Sequence, residues 1–173
     1  MIVTPPKRLW LPRTGQSTSF RDHDDGYYEA GFPHAARFVA NGNNTVYDRA
    51  TGLTWIADPI QLGGIWGSGG NATQMTWNDA IDNCAALSHG GRGDWRLPNM
   101  FELVTILNFS QSSPAIDESV FPNTESAYYW TSTTRCNYTS QAWKITFSLG
   151  YGYYDAKTDQ QYVRPVRGGG ING

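Results

Sequence analysis

The sequence predicts an α+β protein in which two helices lie beside a small twisted antiparallel sheet, preceded by an irregular N-terminal arm. A short β-hairpin pattern comes first, then two stretches with the period of helices, then only strand-like segments. Because these stretches are separated along the chain, the helices are expected to be segregated from the sheet. Charged residues make up only 16% and aromatic residues 14%, which suits a loop-rich domain better than a helical bundle.

The length and charge of the chain restrict its class. With 173 residues it can form one domain with a substantial core. Its net charge of −2 argues against nucleic acid or an anionic membrane as the partner, because both attract basic patches. No apolar run is long enough for insertion into a membrane, and residues 1–15 do not have the pattern of a signal peptide. Two cysteines, Cys84 and Cys136, allow one disulfide at most.

Residues 1–45 form the predicted arm, because they are rich in Pro, Gly, Asp and Asn and show no sustained period. The arm is expected to be ordered and to pack on the domain, since a disordered segment would carry few aromatic residues. Its aromatic residues are Trp10, Phe20, Tyr27, Tyr28, Phe32 and Phe38. Residues 46–170 are expected to form the domain itself. The two are treated as effectively one folded unit.

A hairpin is predicted where two β-prone runs, residues 45–48 and 53–57, flank the sequence RATG. Its turn would place Gly52 at the backbone position that favours glycine. Beyond the helices the chain is strand-like, in the segments AYYWTSTT, AWKITFSLG and QYVRPVRG. The first and last strands are expected to pair.

Two helices follow the hairpin. In TWNDAIDNCAALSHGG, Thr76 can cap the N-terminus and Gly90 or Gly91 can end the helix. The apolar stripe of this helix consists of Trp77, Ala80, Ile81, Cys84 and Leu87. In the second helix Asn99 is the predicted cap, and Glu102 three residues later completes a capping box. Its buried stripe consists of Leu103, Ile106 and Leu107.

The segment AWKITFSLG is expected to be a strand with one face in the core. The core-facing residues are Trp143, Ile145 and Phe147. The outward-facing residues are Lys144, Thr146 and Ser148. One core is expected to bury Trp95, Leu97, Leu103, Ile106, Trp130, Trp143 and Phe147.

Two stretches contain possible metal ligands, and neither predicts a metal site. RDHDDG (residues 21–26) fails as a calcium loop, because the twelfth position counted from Asp22 is Pro33 where a glutamate is needed. WND (residues 77–79) matches a calcium motif of C-type lectins, but it opens a helix, and the sequence contains neither Glu-Pro-Asn nor Gln-Pro-Asp. We interpret the first stretch as a polar turn and the second as a coincidence, and we expect no cofactor.

Catalytic signatures are also missing from the sequence. The three histidines lie outside zinc-binding patterns, and the chain has no nucleophile elbow, P-loop or dinucleotide fingerprint. The most patterned stretch, GDWRLPNMFEL, is interpreted as structural, with Arg96 holding a carboxylate or carbonyl groups. The protein is therefore expected not to be an enzyme.

Residues 135–161 have the composition of a binding surface. Tyrosine occurs there together with Ser, Asn, Asp and Gly, the mixture that gives antibody-like surfaces rigid anchors and adaptable hydrogen bonds. The alternative is a solvated strand between two polar loops, which would not require so many large tyrosines. The candidate ligand-binding residues are Arg135, Asn137, Tyr138, Ser140, Gln141, Lys144, Thr146, Ser148, Tyr151, Tyr153, Tyr154, Asp155 and Asp159.

The motifs taken together resemble those of the Lcl C-terminal-like domain family, over residues 11–169. The resemblance is carried by TGLTW, DWRLPN followed by EL, YWTST and VRPVR in this order. It implies a C-type-lectin-type fold with paired N- and C-terminal strands. It also implies a binding function at a cell or virion surface. We expect the partner to be a protein or glycan of a host or target cell, and we expect binding without calcium because neither calcium motif is complete.

Several proteins of this family are variable proteins of diversity-generating retroelements, and the chain resembles them as well. In those systems, mutagenesis at template adenines converts Asn codons into codons for Tyr, Ser, Thr, Asp, Gly and Arg. The resemblance places the variable region at about residues 134–161, before a fixed tail similar to YVRPVRGG. The residues that it implies to be fixed are Trp130, Trp143, Phe147 and Gly150. Pro165 occupies a position where many members have a cysteine, so both cysteines are expected to be free thiols.

Two other functions remain open at this point. The chain could be an invariant polysaccharide-binding adhesin domain of the same fold, in which the tyrosines stack on sugar rings. An enzyme related to the formylglycine-generating fold would need a reactive cysteine or a metal, and Cys84 lies on the predicted core stripe.

Overall fold

The computed structural model describes residues 11–169 and has the predicted α+β architecture. Its helices are α1 (Asp25–Tyr28), α2 (Trp77–Ala86) and α3 (Met100–Thr105). Short 3-10 turns cover His34–Ala36, Pro59–Leu62 and Gly64–Trp66. The strands are β1 (Phe38–Ala40), β2 (Thr45–Asp48), β3 (Leu53–Ile56), β4 (Gly67–Ser68), β5 (Asn71–Ala72), β6 (Tyr128–Thr134), β7 (Gln141–Thr146), β8 (Tyr151–Ala156) and β9 (Val166–Gly168). They form a four-stranded, a three-stranded and a two-stranded sheet.

The first sheet has the strand order β1-β2-β3-β9. The predicted hairpin is confirmed: Val46 lies opposite Trp55, and Gly52 in the turn has a φ of 74°, where a side chain would be strained. The predicted pairing of β9 with the first strand, β2, is wrong, because β9 pairs with β3. β1 and β3 occupy both sides of β2, so β2 has no edge left for β9, which pairs with the outer edge of β3.

Both predicted helix caps are confirmed. The Thr76 hydroxyl accepts from the Asp79 N–H at 3.3 Å. Asn99 Oδ1 accepts from the Glu102 N–H at 2.9 Å, and the Glu102 carboxylate accepts from the Asn99 N–H at 2.8 Å, which completes the capping box.

The predicted end of the first helix is wrong. α2 ends at Ala86 and not at Gly90 or Gly91. These two glycines have positive φ values of 60° and 71° and form a separate turn, in which the His89 N–H donates to the Arg92 carbonyl at 2.9 Å. Glycine ends helices and also makes tight turns, so its position alone does not distinguish the two.

The second sheet has the strand order β6-β7-β8. β8 lies outside the three segments that the sequence predicted to be strands, so this strand was missed. Its residues pair in register with β7, with Tyr153 opposite Lys144 and Tyr151 opposite Thr146. Pairing with an already buried strand outweighs the polar composition of β8.

The core consists of two clusters, where a single one was predicted. Leu103 and Phe147 lie in the first cluster, between α3 and the two larger sheets. Leu97 and Trp130 lie in the second cluster, against α2. The remaining predicted core residues are also buried, with the exception of Trp143, which is half-buried.

β7 is the central strand of the second sheet and is buried on both sides. Ala142 belongs to the second cluster and Ile145 to the first, because the two side chains point to opposite faces of the sheet. Lys144 and Thr146 are only 5% and 2% exposed, so the prediction that they face solvent is wrong. Trp143 is less buried than predicted because it lies opposite Tyr154 of the edge strand β8.

The described part of the N-terminal arm contains α1 and β1, and several of its aromatic residues do not pack on the domain. The exposed ones are Phe20, Tyr27 and Tyr28. His23 and the two tyrosines contact one another at ring distances of 5.2–5.8 Å, which replaces the predicted packing. Phe38 does pack against the first core cluster. Trp10 lies outside the described residues.

Arg96 has the structural role predicted for it. Its guanidinium donates to both carboxylate oxygens of Glu102 at 2.7 and 2.6 Å, and to the Gly168 carbonyl at 2.8 Å. This connects the start of α3 to β9. In the part of the chain described, no helix is sufficiently long and apolar to cross a membrane.

Candidate functional site

The second sheet carries a group of tyrosines that we call the tyrosine surface: Tyr128, Tyr138, Tyr151, Tyr153 and Tyr154. Tyr128 begins β6, and Tyr138 lies in the turn between β6 and β7. The other three tyrosines belong to β8. Two antiparallel hairpins, β6-β7 and β7-β8, therefore bring together residues from three parts of the sequence. Tyr138, Tyr151 and Tyr153 remain 55%, 48% and 51% exposed.

An arginine lies between two rings of this surface. The Arg135 guanidinium carbon is 4.1 Å from the centre of the Tyr138 ring and 3.6 Å from that of Tyr154. The Tyr154 ring in turn stacks on Tyr153 with a centroid distance of 4.9 Å and an interplanar angle of 8°. Arg135 also donates to Gln141 Oε1 at 2.5 Å. Cation–π contacts of this kind fix the rings and the charge relative to one another.

A buried cation supports the other side of the surface. Lys144 Nζ donates to Asp155 Oδ2 at 2.5 Å and lies 3.9 Å from the centre of the Tyr128 ring. Burial raises the pKa of Asp155. The hydrogen bonds with Lys144 and Asp159 and the charge of Lys144 lower this pKa by more than burial raises it, so it lies below its usual value. The shared hydrogen bond with Asp155 raises the pKa of Asp159.

Tyr128 and Tyr151 connect the two outer strands across β7. Their hydroxyl groups are 3.2 Å apart and their rings meet edge to face at 6.4 Å. This hydrogen bond, with partial burial, raises the pKa of Tyr128 to about 12, so its hydroxyl is protonated at neutral pH. Both tyrosines present a hydroxyl group beside an apolar ring.

The candidate residues differ in how far they reach solvent. The exposed ones are Asn137, Tyr138, Ser140, Tyr151, Tyr153 and Asp159. The half-buried ones are Arg135, Gln141, Ser148, Tyr154 and Asp155. Lys144 and Thr146 are buried beneath the surface, so a ligand on the tyrosine surface would not reach their side chains. They support neighbouring side chains: Lys144 holds Asp155, and the Thr146 hydroxyl lies 2.7 Å from that of Ser148.

Tyr128 and Trp143 belong to this site but were not among the candidates. Tyr128 lies opposite Thr146, and Trp143 contacts Tyr154 edge to face at 5.8 Å. Tyr128 alternates with the buried Tyr129 in AYYWTSTT, which was a signal for an outward position. Trp143 gave no such signal, because its position predicted a core residue.

The two possible metal stretches have structural roles. Asp24 in RDHDDG caps α1 by accepting from the Tyr27 N–H at 2.8 Å, and it also accepts from the Phe20 N–H at 2.8 Å. In WND, Asp79 lies in the first turn of α2. Among residues 11–169, no group of three or more His, Cys, Asp or Glu side chains is arranged to hold a metal ion.

The two cysteines lie in different environments, and both are free thiols. Neither Cys84 nor Cys136 forms a disulfide in the described chain. Cys84 is buried in the second core cluster, and this burial raises the pKa of its thiol. A thiol in this environment remains protonated and is a poor nucleophile. Cys136 is exposed in the turn between β6 and β7.

The fold and the surface together define a class of protein: an α+β domain that supports a cluster of exposed tyrosines on a rigid sheet. Residues 44–167 match the family described as the Lcl C-terminal domain, and the chain belongs to this family. The family fits a C-type-lectin-like ligand-binding domain. A comparison with curated proteins found no significant match.

Proposed function

We propose that this protein is a recognition protein whose tyrosine surface binds a protein or glycan on a host or target cell. The observation that carries this proposal is that Tyr138, Tyr151 and Tyr153 are each about half exposed, although they lie beside a central strand whose residues are buried or half-buried. Folding alone does not require large aromatic side chains at such positions. Exposed tyrosines on a rigid support are typical anchors of binding interfaces.

The contacts within the surface favour binding by holding the anchors in place before a ligand arrives. Arg135 is held between Tyr138 and Tyr154, and Tyr128 is held by Tyr151 and Lys144. Side chains that are already ordered lose less conformational entropy on association. The hydroxyl groups and the guanidinium can still hydrogen-bond to a partner.

The finer proposal is that residues 134–161 are the variable region of a diversity-generating retroelement protein on a virion or cell surface. The resemblance of the motifs supports it, and so does the division of the segment between exposed and buried positions. Exposed Asn137, Ser140 and Tyr153 are of the residue types that such diversification produces. Phe147 is buried, and Gly150 has a φ of 78° that disfavours other residues, so both suit a fixed scaffold.

We further propose that the protein is not an enzyme. Support comes from the buried and protonated Cys84 and from the tyrosine surface itself, where the charged side chains are held in ion pairs and stacks. Recognition by this surface needs no metal or cofactor, because the rings, hydroxyls and guanidinium supply all the contacts.

The alternative is an invariant adhesin domain that binds a polysaccharide. The flat exposed rings of Tyr138 and Tyr153 favour it, because they could stack on sugar rings. The DNA around the gene distinguishes the two functions. A retroelement protein requires a near-copy of the 3′ coding region that differs at adenines, next to a reverse transcriptase gene, whereas an adhesin does not.

A randomised library tests the recognition function. The positions are Arg135, Asn137, Tyr138, Ser140, Tyr151, Tyr153 and Tyr154, with Asn137 restricted to Asn, Asp and Gly because its φ is 62°. Asp155 is left unchanged because it neutralises the buried Lys144. Members are scored for cooperative thermal unfolding and for binding to whole cells that bind the parent protein.

Most members are expected to fold and to lose or change their cell binding. The matched control library randomises exposed residues elsewhere, Arg21, Arg49, Arg92 and Glu118, and should keep the binding of the parent. If most members of the first library fail to fold, the surface is structural. If they fold and still bind as the parent does, the binding site lies elsewhere.

A further inference from the structure

The two outer edges of the second sheet differ. The edge of β6 is closed by the segment around Tyr162: the Trp130 N–H donates to the Tyr162 carbonyl at 2.9 Å, and the Tyr162 N–H donates to the Tyr128 carbonyl at 3.1 Å. The edge of β8 has no such cover in residues 11–169, because β8 is the last strand in the order β6-β7-β8. A strand could therefore be added at β8 but not at β6.

The register identifies the backbone groups that are open at this edge. Lys157 donates its N–H to the Ser140 carbonyl at 2.9 Å, one step beyond the last pair of β7 and β8. Hydrogen-bonded pairs alternate along an antiparallel ladder, so residues 151, 153 and 155 bond to β7. Gly152 and Tyr154 then point their N–H and C=O groups away from the sheet. Within the described chain these groups have no hydrogen-bond partner.

The open edge also lacks most of the features that usually block strand addition, and its one charged residue, Asp155, is held in an ion pair by Lys144. Natural edge strands are protected by lysine, proline, bulges or a covering loop. β8 has the sequence YGYYDA, with no lysine or proline, and it pairs with β7 without a bulge. At its end the Asp159 N–H bonds to the Ala156 carbonyl at 2.9 Å, so the open edge consists of residues 152–154 and their neighbours. An unprotected edge that adjoins the tyrosine surface is suited to a partner.

The charge beside the edge defines what this partner carries. A residue directly opposite Tyr154 on an added strand would lie on the same face as the Tyr154 ring. Arg135 stacks on that ring at 3.6 Å, and no carboxylate among residues 11–169 forms an ion pair with it. Its guanidinium can accept a carboxylate from the partner with charge-assisted hydrogen bonds. Residues on either side of that acid would face Tyr153 and its neighbours.

We propose that the protein binds an extended peptide segment of its partner as a fourth strand along β8, with an acidic residue opposite Tyr154. The main chain of the peptide would bond to the N–H and C=O groups of Gly152 and Tyr154, and the tyrosine surface would contact its alternate side chains. This inference rests on the proposed recognition function and makes the ligand a polypeptide.

The experiment uses random linear peptides displayed on phage, selected for binding to the whole protein. The enriched peptides are synthesised, and single backbone amides are N-methylated in turn. Strand addition predicts that methylation weakens binding by about tenfold or more at every second amide only, because only alternate amides face β8. Replacing the acidic residue of the peptide by its amide should weaken binding in the parent protein, but not in Arg135→Gln.

Variants of the protein give the matching controls. Tyr154→Pro removes both the ring and the outward N–H, whereas Tyr154→Ala removes the ring and keeps the N–H. The proline variant should therefore bind peptide much more weakly than the alanine variant. Both proteins should still unfold cooperatively. Arg49→Gln, an exposed arginine outside the surface, should bind as the parent does. Hydrogen exchange gives a second readout: the amides of Gly152 and Tyr154 should become protected when a selected peptide binds.

The possible failures are distinct. If no peptide is enriched, or if methylation has the same effect at successive amides, strand addition is wrong. If methylation has the same effect at successive amides but binding of the selected peptides still depends on Tyr138 and Tyr153, the proposed recognition function stands without strand addition. If binding depends on neither the edge nor the tyrosines, the proposed recognition function fails as well.

Discussion

Lys144 lies beneath the tyrosine surface and contacts two of the side chains around it, Asp155 and Tyr128. Its ammonium group is buried, so it has lost most of its contact with water and must be stabilised by the protein. Asp155 supplies the opposite charge and Tyr128 supplies a ring face at 3.9 Å. Both partners are parts of the surface. The requirement to satisfy one buried charge therefore fixes two side chains that a ligand would meet.

Replacing Asp155 by asparagine should destabilise the protein at neutral pH. The change leaves the charge of Lys144 without a carboxylate, and removing one partner of a fully buried ion pair typically costs about 3–5 kcal/mol. Because the Asp155 side chain is 36% exposed, solvent screens part of this loss, and we expect about 1–2 kcal/mol. Urea unfolding of the parent and of Asp155→Asn measures the difference.

The pH dependence of this difference provides a further check. The pKa of Asp155 is lowered in the folded protein, so its contribution is present above the unfolded value, near 3.8, and disappears as the pH falls through the folded pKa. The parent and the variant should differ by a constant amount from pH 7 to about pH 5, begin to converge near pH 4, and complete this convergence only below the folded pKa of Asp155. Asp22→Asn, at an exposed position in the N-terminal arm, is the control and should change stability little. A difference that persists unchanged in acid would contradict the role of this ion pair.

Arg164 illustrates a second buried cation, held by carbonyl groups. It donates to the Ile56 carbonyl at 2.9 Å, to the Ala57 carbonyl, and to the Thr124 hydroxyl at 2.7 Å, and burial lowers the pKa of its guanidinium. Arg164→Ala leaves these acceptors unsatisfied in the core. We expect a loss of about 3 kcal/mol or more, measured by urea unfolding, since each unsatisfied buried group costs about 1–3 kcal/mol. Arg49→Ala, an exposed arginine, should have almost no effect, and equal effects of the two would refute this role.

At the scale of elements, β7 determines how the second sheet is built. It lies between two strands and contributes buried residues to both core clusters. A strand buried on both faces does not alternate between apolar and solvent-exposed positions. This explains why the alternation of AWKITFSLG predicted the directions of its side chains, but not which of them are exposed.

Truncations around β7 should separate core from surface. Phe147→Ala removes a fully buried ring from the first core cluster and is expected to cost about 3–5 kcal/mol. Trp143→Ala should cost clearly less, because the indole is half-buried and its contact with Tyr154 lies at the surface. Denaturant unfolding of both variants tests this order. A loss for Trp143→Ala equal to that for Phe147→Ala would restore Trp143 to the core.

The elements whose signals are local were predicted correctly. The hairpin turn requires a positive φ at Gly52, and the caps of α2 and α3 require hydrogen bonds between residues three apart, so a few neighbouring letters were sufficient. β8 has no local signal. It is a strand because β7 offers a free edge, and that edge exists only after the sheet has formed.

At the scale of the whole molecule, the fold separates a stable scaffold from the tyrosine surface. The two core clusters lie between helices and sheets, whereas the exposed tyrosines lie on β8 and the turn beside β6. Changes at the surface can then alter binding with little effect on folding, which is the property that a diversified recognition protein needs.

Calcium should not stabilise this scaffold. Asp24 and Asp79, in the two stretches that suggested a calcium site, are occupied with helix capping and the first turn of α2. An ion that binds only the folded state raises the melting temperature. Because we expect no calcium to bind, melts recorded with calcium and with a chelator should coincide. Magnesium serves as the control for unspecific charge effects. A clear upward shift with calcium alone would favour a lectin-type calcium site.

The sequence by itself determined the fold class, the hairpin, the helix caps and the presence of a tyrosine-rich segment, because each depends on residues close together in the chain. Only the tertiary structure decided which of these residues are exposed, that Lys144 and Thr146 are buried, and that Tyr128 joins Tyr151 across β7. It also decided that β9 pairs with β3 and that one edge of the second sheet remains open. Burial and strand pairing depend on contacts between distant segments, and these exist only once the chain has folded.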